Sequence, residues 1–247
     1  MTWSLTEYVG ELELAAGNIP DRRSLSIFGI GSVHTGGLGV VTSLETPAIP
    51  WAPLTTAEAL EVVSDHPQDN PAGTGAIEVI VKGINAAGVY DELPVTLNGL
   101  TPVDAGTWLC ANFFEVSLAG GAHANEGTVD LQVADGGAVR MRIQPDKGRA
   151  SQVIYRAPLG TKVFLKNFNY SAGDYGVVYQ IEIWAFDPVR EVKHIVFSTE
   201  TSDSPNPQRF DLGRLEVAAG SEIALMMKSN IGGAVPMYAC INIETAA

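Results

Sequence analysis

Residues 177–186 read VVYQIEIWAF, and their alternation restricts what this chain can fold into. Val178, Gln180, Glu182 and Trp184 fall on one side, Val177, Tyr179, Ile181, Ile183 and Ala185 on the other. That is the period of two of a half-buried strand, not the 3.6 of a helix. Similar runs recur along the chain: AIEVIVKGI, DELPVTL, TWLCANFFEVSL, TVDLQV, AVRMRI, SQVIYRA, KVFLKNFNY, KHIVFST, EIALMMKS and MYACINI. They are separated by turn formers such as ADGGA, QPDKG, APLG and AAGSE. Short strands at roughly ten-residue spacing with no intervening helical pattern predict an all-β, antiparallel β-sandwich or jelly roll. The strands form two successive groups, 54–145 and 146–247, with the seam in QPDKGRA. Two sandwiches and one large jelly roll both satisfy this pattern.

Residues 1–53 differ: glycines and prolines interrupt short apolar pieces such as SLSIFGIGSV, and the segment ends in the stiff ETPAIPWAP. The expectation is an N-terminal arm and Pro-rich linker that docks on another subunit through Trp3, Ile27, Phe28, Val40 and Val41. Its deletion is then expected to weaken assembly and spare the β-sheet. Just beyond, Thr55 and Glu58 have capping-box spacing, so TTAEALEVV reads as either a short helix or a strand.

Composition narrows the partners. Charged residues are only 17% of the chain against 46% hydrophobic, which points to apolar surface covered by further copies, a homo-oligomer. The formal charge of −13 disfavours contact with DNA or RNA. The N-terminus lacks a basic leader followed by an apolar core, and no apolar run approaches the ~20 residues of a membrane span, so neither secretion nor a membrane partner is expected.

Catalytic and metal chemistry find little anchor. The two cysteines, Cys110 and Cys240, sit in apolar runs and read as small buried hydrophobes that resist alkylation. The four histidines, His34, His66, His123 and His194, share no ligand spacing. Asp65, Asp69 and Asn70 group hard oxygens that suit calcium, yet without EF-hand spacing they read as loop self-capping. There is no nucleophile elbow or phosphate-binding glycine loop; HTGGLG lacks a following amphipathic helix. No cofactor, metal or catalytic residue is expected. Two acid pairs, Asp91 with Glu92 and Glu182 with Asp187, are the available material for glycan cleavage, and read as ordinary strand and turn acids. Tyr170, Tyr175 and Trp184, near Tyr179 and Phe186, form a candidate ligand platform for a glycan, with core or interface packing as the alternative. Asn169-Tyr170-Ser171 is a formal glycosylation sequon, read as coincidental.

The stretch 64–103, SDHPQDNPAGTGAIEVIVKGINAAGVYDELPVTLNGLTPV, reads as a self-capped loop followed by a hairpin. Its order of Ser64-Asp65, Asp69, Gly73-Thr74-Gly75-Ala76, Gly83-Ile84-Asn85, Val95-Thr96-Leu97-Asn98-Gly99 and Pro102-Val103 resembles a group of tailed-bacteriophage virion structural proteins. Asn125-Glu126-Gly127-Thr128-Val129 is similar to that group's N-x-G-T-[IV] strand opening. Val153-Ile154-Tyr155-Arg156-Ala157-Pro158-Leu159-Gly160-Thr161 is similar to its Y-T-V-P-A-G-K-T turn, with Ala-Pro-Leu in place of Val-Pro-Ala. Pro67 and Pro71 also depart from the pattern. The resemblance implies a non-enzymatic virion protein that assembles as a homo-oligomer, a trimer, on the outside of the particle. Capsid decoration or cement against the major capsid protein is the leading placement. A collar or tail component binding host-surface glycan or another virion protein is the alternative.

Overall fold

The computed structural model describes residues 22–33, 39–40, 51–172, 178–202, 208–230 and 235–246. All its regular elements are strands: β1 (Arg22–Val33), β2 (Gly39–Val40), β3 (Glu58–Ser64), β4 (Ala76–Asn85), β5 (Tyr90–Thr96), β6 (Val103–Ala119), β7 (Val129–Val133) and β8 (Val139–Ile143). They continue with β9 (Ile154–Arg156), β10 (Lys162–Ala172), β11 (Val178–Asp187), β12 (Val192–Ser202), β13 (Gln208–Val217), β14 (Glu222–Ser229) and β15 (Val235–Ala246). Every pairing is antiparallel.

Three sheets result. One has the order β1-β15-β10-β13 and a second the order β12-β11-β14-β2, with β9 also paired to β14. Numbering only these eight main strands along the chain gives 1-8-3-6 facing 5-4-7-2, the two interlocked Greek keys of a jelly roll. The third sheet, β5-β4-β6-β3-β7-β8, is inserted between the second and third jelly-roll strands and curls into a half-barrel. Its curl has a visible cause: the β4–β6 pairing shifts register at Ala76/Glu78, Glu78/Val79, Lys82/Gly83 and Ile84/Asn85, and bulges increase local twist.

Each part has its own core. Inside the jelly roll, inward residues of both sheets interlock, among them Leu165, Phe168, Ile181, Ile183, Leu225 and Ile241, all fully buried. Phe168 stacks on Phe210 with ring centroids 4.7 Å apart and meets Phe197 edge-on at 5.3 Å. The insert buries Val62, Val79, Val81, Phe114, Leu131 and Ile143 in a core of its own. A smaller cluster lies on the outer face of the β12-β11-β14-β2 sheet, where Trp51 from the proline-rich linker covers Phe186, Ala224 and Met226.

One open choice closes and one expectation changes. Of the helix and the strand that the Thr55–Glu58 stretch allowed, the strand forms: Glu58 opens strand β3, whose residues alternate between buried and partly exposed, and its carboxylate takes the Arg140 Nε–H at 3.0 Å. The segment 22–33, expected to leave the protomer as an arm, is the first strand of its own jelly roll. It pairs with β15 at every residue from Arg22↔Ala246 to Val33↔Val235. Its other side is held too, by Gln152 N–H to Phe28 O at 3.1 Å and Ile30 N–H to Ser151 Oγ at 3.1 Å. Ile27 is 2% exposed in the jelly-roll core, and the Phe28 ring lies 4.8 Å from the Arg149 guanidinium, which also reaches Phe113 of β6 at 5.4 Å.

Candidate functional site

Several of the stretches that carry the sequence resemblance, Ser64-Asp65, Asp69, Gly75-Ala76, Gly99 and Glu126 to Thr128, meet in one loop knot at an end of the insert. Asp69 is its centre. Its fully buried carboxylate accepts Ala76 N–H (2.8 Å) and Glu126 N–H (2.9 Å) on Oδ1, and Ser64 Oγ–H (2.6 Å) and Gly127 N–H (3.0 Å) on Oδ2. The Asp69 carbonyl accepts Gly99 N–H at 2.8 Å, and Asp65 Oδ1 accepts Thr128 N–H at 2.7 Å. Glycine at 75 is a steric requirement, because a Cβ there would stand 2.1 Å from Asp69 Oδ1. Four donors occupy the four lone-pair directions of this carboxylate, and Asn70 spends its side chain on Ala72 N–H (2.8 Å) and Pro67 O. The cluster suited on paper to calcium is therefore a self-capped loop. No group of three metal-ligating side chains occurs among the described residues.

Of the aromatic platform, Tyr170 belongs to the core. Tyr170 is 2% exposed and donates its hydroxyl to Thr201 Oγ1 at 2.9 Å, while Tyr179 is fully buried and Phe186 nearly so. Trp184 is half-buried, and its indole N–H goes to Glu182 Oε2 at 2.7 Å. Tyr175 lies outside the described residues, as do Trp3, Val41 and His34, and the side chain of Val40, on β2, is likewise outside them. The acid pairs are no better placed. Glu182 and Asp187 are five residues apart on one strand, roughly 16 Å at 3.3 Å per residue. Asp187 caps its turn through Val189 N–H (2.9 Å) and Arg190 N–H (3.2 Å). Asp91 and Glu92 are exposed on β5, bonded to Asn85 Nδ2 and the Tyr90 hydroxyl. His66 sits in the loop knot, 3.6 Å from Glu126; His123 occupies a turn and His194 the exposed strand β12. Asn169 lies mid-sheet on β10, between β15 and β13, which fits no glycan acceptor.

Both cysteines are half-buried, more open than two core hydrophobes would be. Burial of the sulfur pushes the Cys110 thiol well above its usual value and raises that of Cys240.

A second buried polar cluster lies where the chain enters and leaves the insert; Arg156 falls within the quoted Val153–Thr161 stretch, but nothing in the sequence marked it or Glu222 as part of a site. Glu222 of β14 and Arg156 of β9 are register partners, 4% and 3% exposed. Glu222 Oε1 accepts the Trp51 indole N–H at 2.7 Å. Arg156 stands 3.7 Å from Glu222 Oε2, beyond hydrogen-bond reach, and Nη1 donates instead to Leu54 O at 2.6 Å. Asn112 of β6 clamps the Arg156 backbone from the insert, Nδ2 to Arg156 O and Oδ1 from Arg156 N–H, both at 2.8 Å. Lys193 of β12 donates to Trp51 O at 2.9 Å. Burial lifts Glu222 from 4.5 up to about 7 against the pull of Trp51, Arg156, Cys110 and Lys193. The cluster binds together linker, insert and jelly roll, and the Cys110 thiol of β6 lies against the Glu222 carboxyl group within it.

Exposed apolar residues gather nearby. Val189 (84% exposed) follows Pro188 in the β11–β12 turn, and Leu159 (57%) touches the Gly88 and Gly220 turns beside Val89 (51%). Strand β12 is a sheet edge that exposes Val192 and Ile195.

No protein-family model matches the chain, and no curated protein matches it. Solved structures with some likeness include those of infectious bursal disease virus. The Gt strain structure is 10% identical, covering 92% of this chain and 74% of that chain, with a TM-score of 0.24. The Gx strain structure is 9% identical over 90% and 71%, with a TM-score of 0.24. The VP2 subviral particle of the same virus is 11% identical over 92% and 72%, with a TM-score of 0.24. Likeness at this level carries no inference about function.

Proposed function

We propose that this chain is a non-enzymatic structural protein of a virion, assembling as a homo-oligomer on the outside of the particle, with capsid decoration or cement as its place. The observation that carries the reading is the architecture: an eight-stranded jelly roll bearing a separately cored β insert on one inter-strand connection. Jelly rolls serve viral capsids, lectins and cupins alike, so the architecture carries the reading together with what its candidate site residues do. The metal- and sugar-binding uses need ligand clusters or open aromatic faces, and here Asp69, Asn70, Tyr170 and Trp184 are spent on internal bonds. The phage-like motifs around Ser64 to Ala76 and Asn125 to Val129 come together at Asp69, whose carboxylate is fully used in internal bonds. A charge of −13 suits an outer surface better than contact with packaged nucleic acid. Val89, Leu159 and Val189 supply apolar contact area for a neighbouring protein.

The trimer expected from the sequence is retained as part of this proposal. The glycan-binding alternative on a collar or tail loses Tyr170 to the core. Co-sedimentation of the purified protein with particles that lack it tests the reading: saturable binding at a fixed ratio to the major capsid protein is expected. A monomer that never sediments with particles would overturn it.

A further inference from the structure

Glu222 presents an unusual combination: a carboxyl group out of contact with water, next to a fixed cation that is aimed elsewhere. A carboxylate can accept about four hydrogen bonds. Glu222 has one strong donor, Trp51 Nε1 at 2.7 Å, with the Cys110 thiol alongside. The Arg156 guanidinium gives its short bond to Leu54 O, leaving 3.7 Å to Glu222. Lys193 gives its ammonium to Trp51 O. The ionised form of Glu222 is thus desolvated and under-bonded, and the protonated form relieves that cost. The groups around Glu222 come from the linker (Trp51, Leu54), β6 (Cys110), β9 (Arg156) and β12 (Lys193), and its register partner on β11 is the apolar Phe186. Their positions coincide with the two chain crossings between jelly roll and insert.

We propose that Glu222, with Trp51 and Arg156, forms a proton-operated latch that holds the insert against the jelly roll, closed when Glu222 is protonated and loosened when it ionises. The inference goes beyond the virion reading and does not depend on it. The sign follows from linkage: a folded-state value above the unfolded one means that the folded protein binds the extra proton. The stabilisation is complete below the unfolded value of 4.5 and is lost as pH rises through about 7.

The test compares wild type with Glu222→Gln, a neutral isostere that still accepts the Trp51 N–H, by hydrogen exchange at residues 51–54, 110–112 and 154–156. After correction for intrinsic exchange, wild-type protection at these amides should fall between pH 5 and pH 8, by up to a hundredfold or so at tenfold per pKa unit. The variant should stay flat. Equal pH profiles, or wild-type protection that rises with pH, would overturn the latch. If the variant does not fold, infrared spectroscopy of wild type decides: a protonated buried-carboxyl band present at pH 5.5 and gone by pH 8.5 is expected, and its absence at pH 5.5 contradicts the proposal.

Discussion

Asp69 is the residue on which most of the insert's loop geometry depends. Replacing it with alanine leaves the N–H groups of Ala76, Glu126 and Gly127 buried without acceptors, at about 1–3 kcal/mol for each group left unpaired. We expect Asp69→Ala to lower unfolding free energy in urea by at least about 3 kcal/mol, with calcium and chelators leaving wild type unchanged; a calcium-dependent midpoint would refute the self-capped reading. The cysteines make a second prediction. With both thiols raised by burial, native alkylation at pH 8 should be much slower than in urea and should accelerate as pH is raised further. Labelling as fast in native as in unfolded protein would contradict this. At this scale the sequence was legible for Asp69, since acid, glycine and proline spacing already reads as a capped loop. Glu222 and Arg156 were not legible, because 66 residues separate them and nothing in EIALMMKS marks its acid as buried.

At the level of elements, the period-two runs predicted strands correctly wherever one face is apolar, as in β4, β6, β10, β11 and β14. Strand β13 escaped because Arg209, Asp211, Arg214 and Glu216 dominate QRFDLGRLEV; it is a sheet edge, largely exposed, so its apolar signal is thin. Strand β1 escaped because Gly29 and Gly31 weaken the pattern, and glycine in a strand interior is read as a break. Its placement reverses the expected result of truncation. Removing residues 1–33 should take a central core contact, Ile27, and a full strand from the jelly roll. Circular dichroism should therefore lose β signal or thermal stability, where a detachable arm would leave both intact. The milder Ile27→Ala should cost about 2–5 kcal/mol, the range for emptying a buried aliphatic site. A cost below 0.5 kcal/mol would place Ile27 outside the core.

For the whole molecule, periodicity identified strands but not their partners. One jelly roll with an insert and two successive sandwiches share the same strand list; they differ in whether residues 22–33 pair with residues 235–246, more than two hundred positions away. That pairing is a product of long-range closure, invisible to local pattern. The resulting picture is a jelly roll that carries a stiff, knotted insert, joined through a buried acid–arginine seam. Its outer charge is negative, with apolar residues clustered at the turns near that seam. The central claim, assembly on the outside of a virion, is tested most directly by adding the purified protein to particles that lack it and imaging the result. The account predicts symmetric density over the outer surface of the capsid lattice, with the jelly roll and insert resolved as adjoining bodies. No bound density, or density confined to the particle interior, would contradict it.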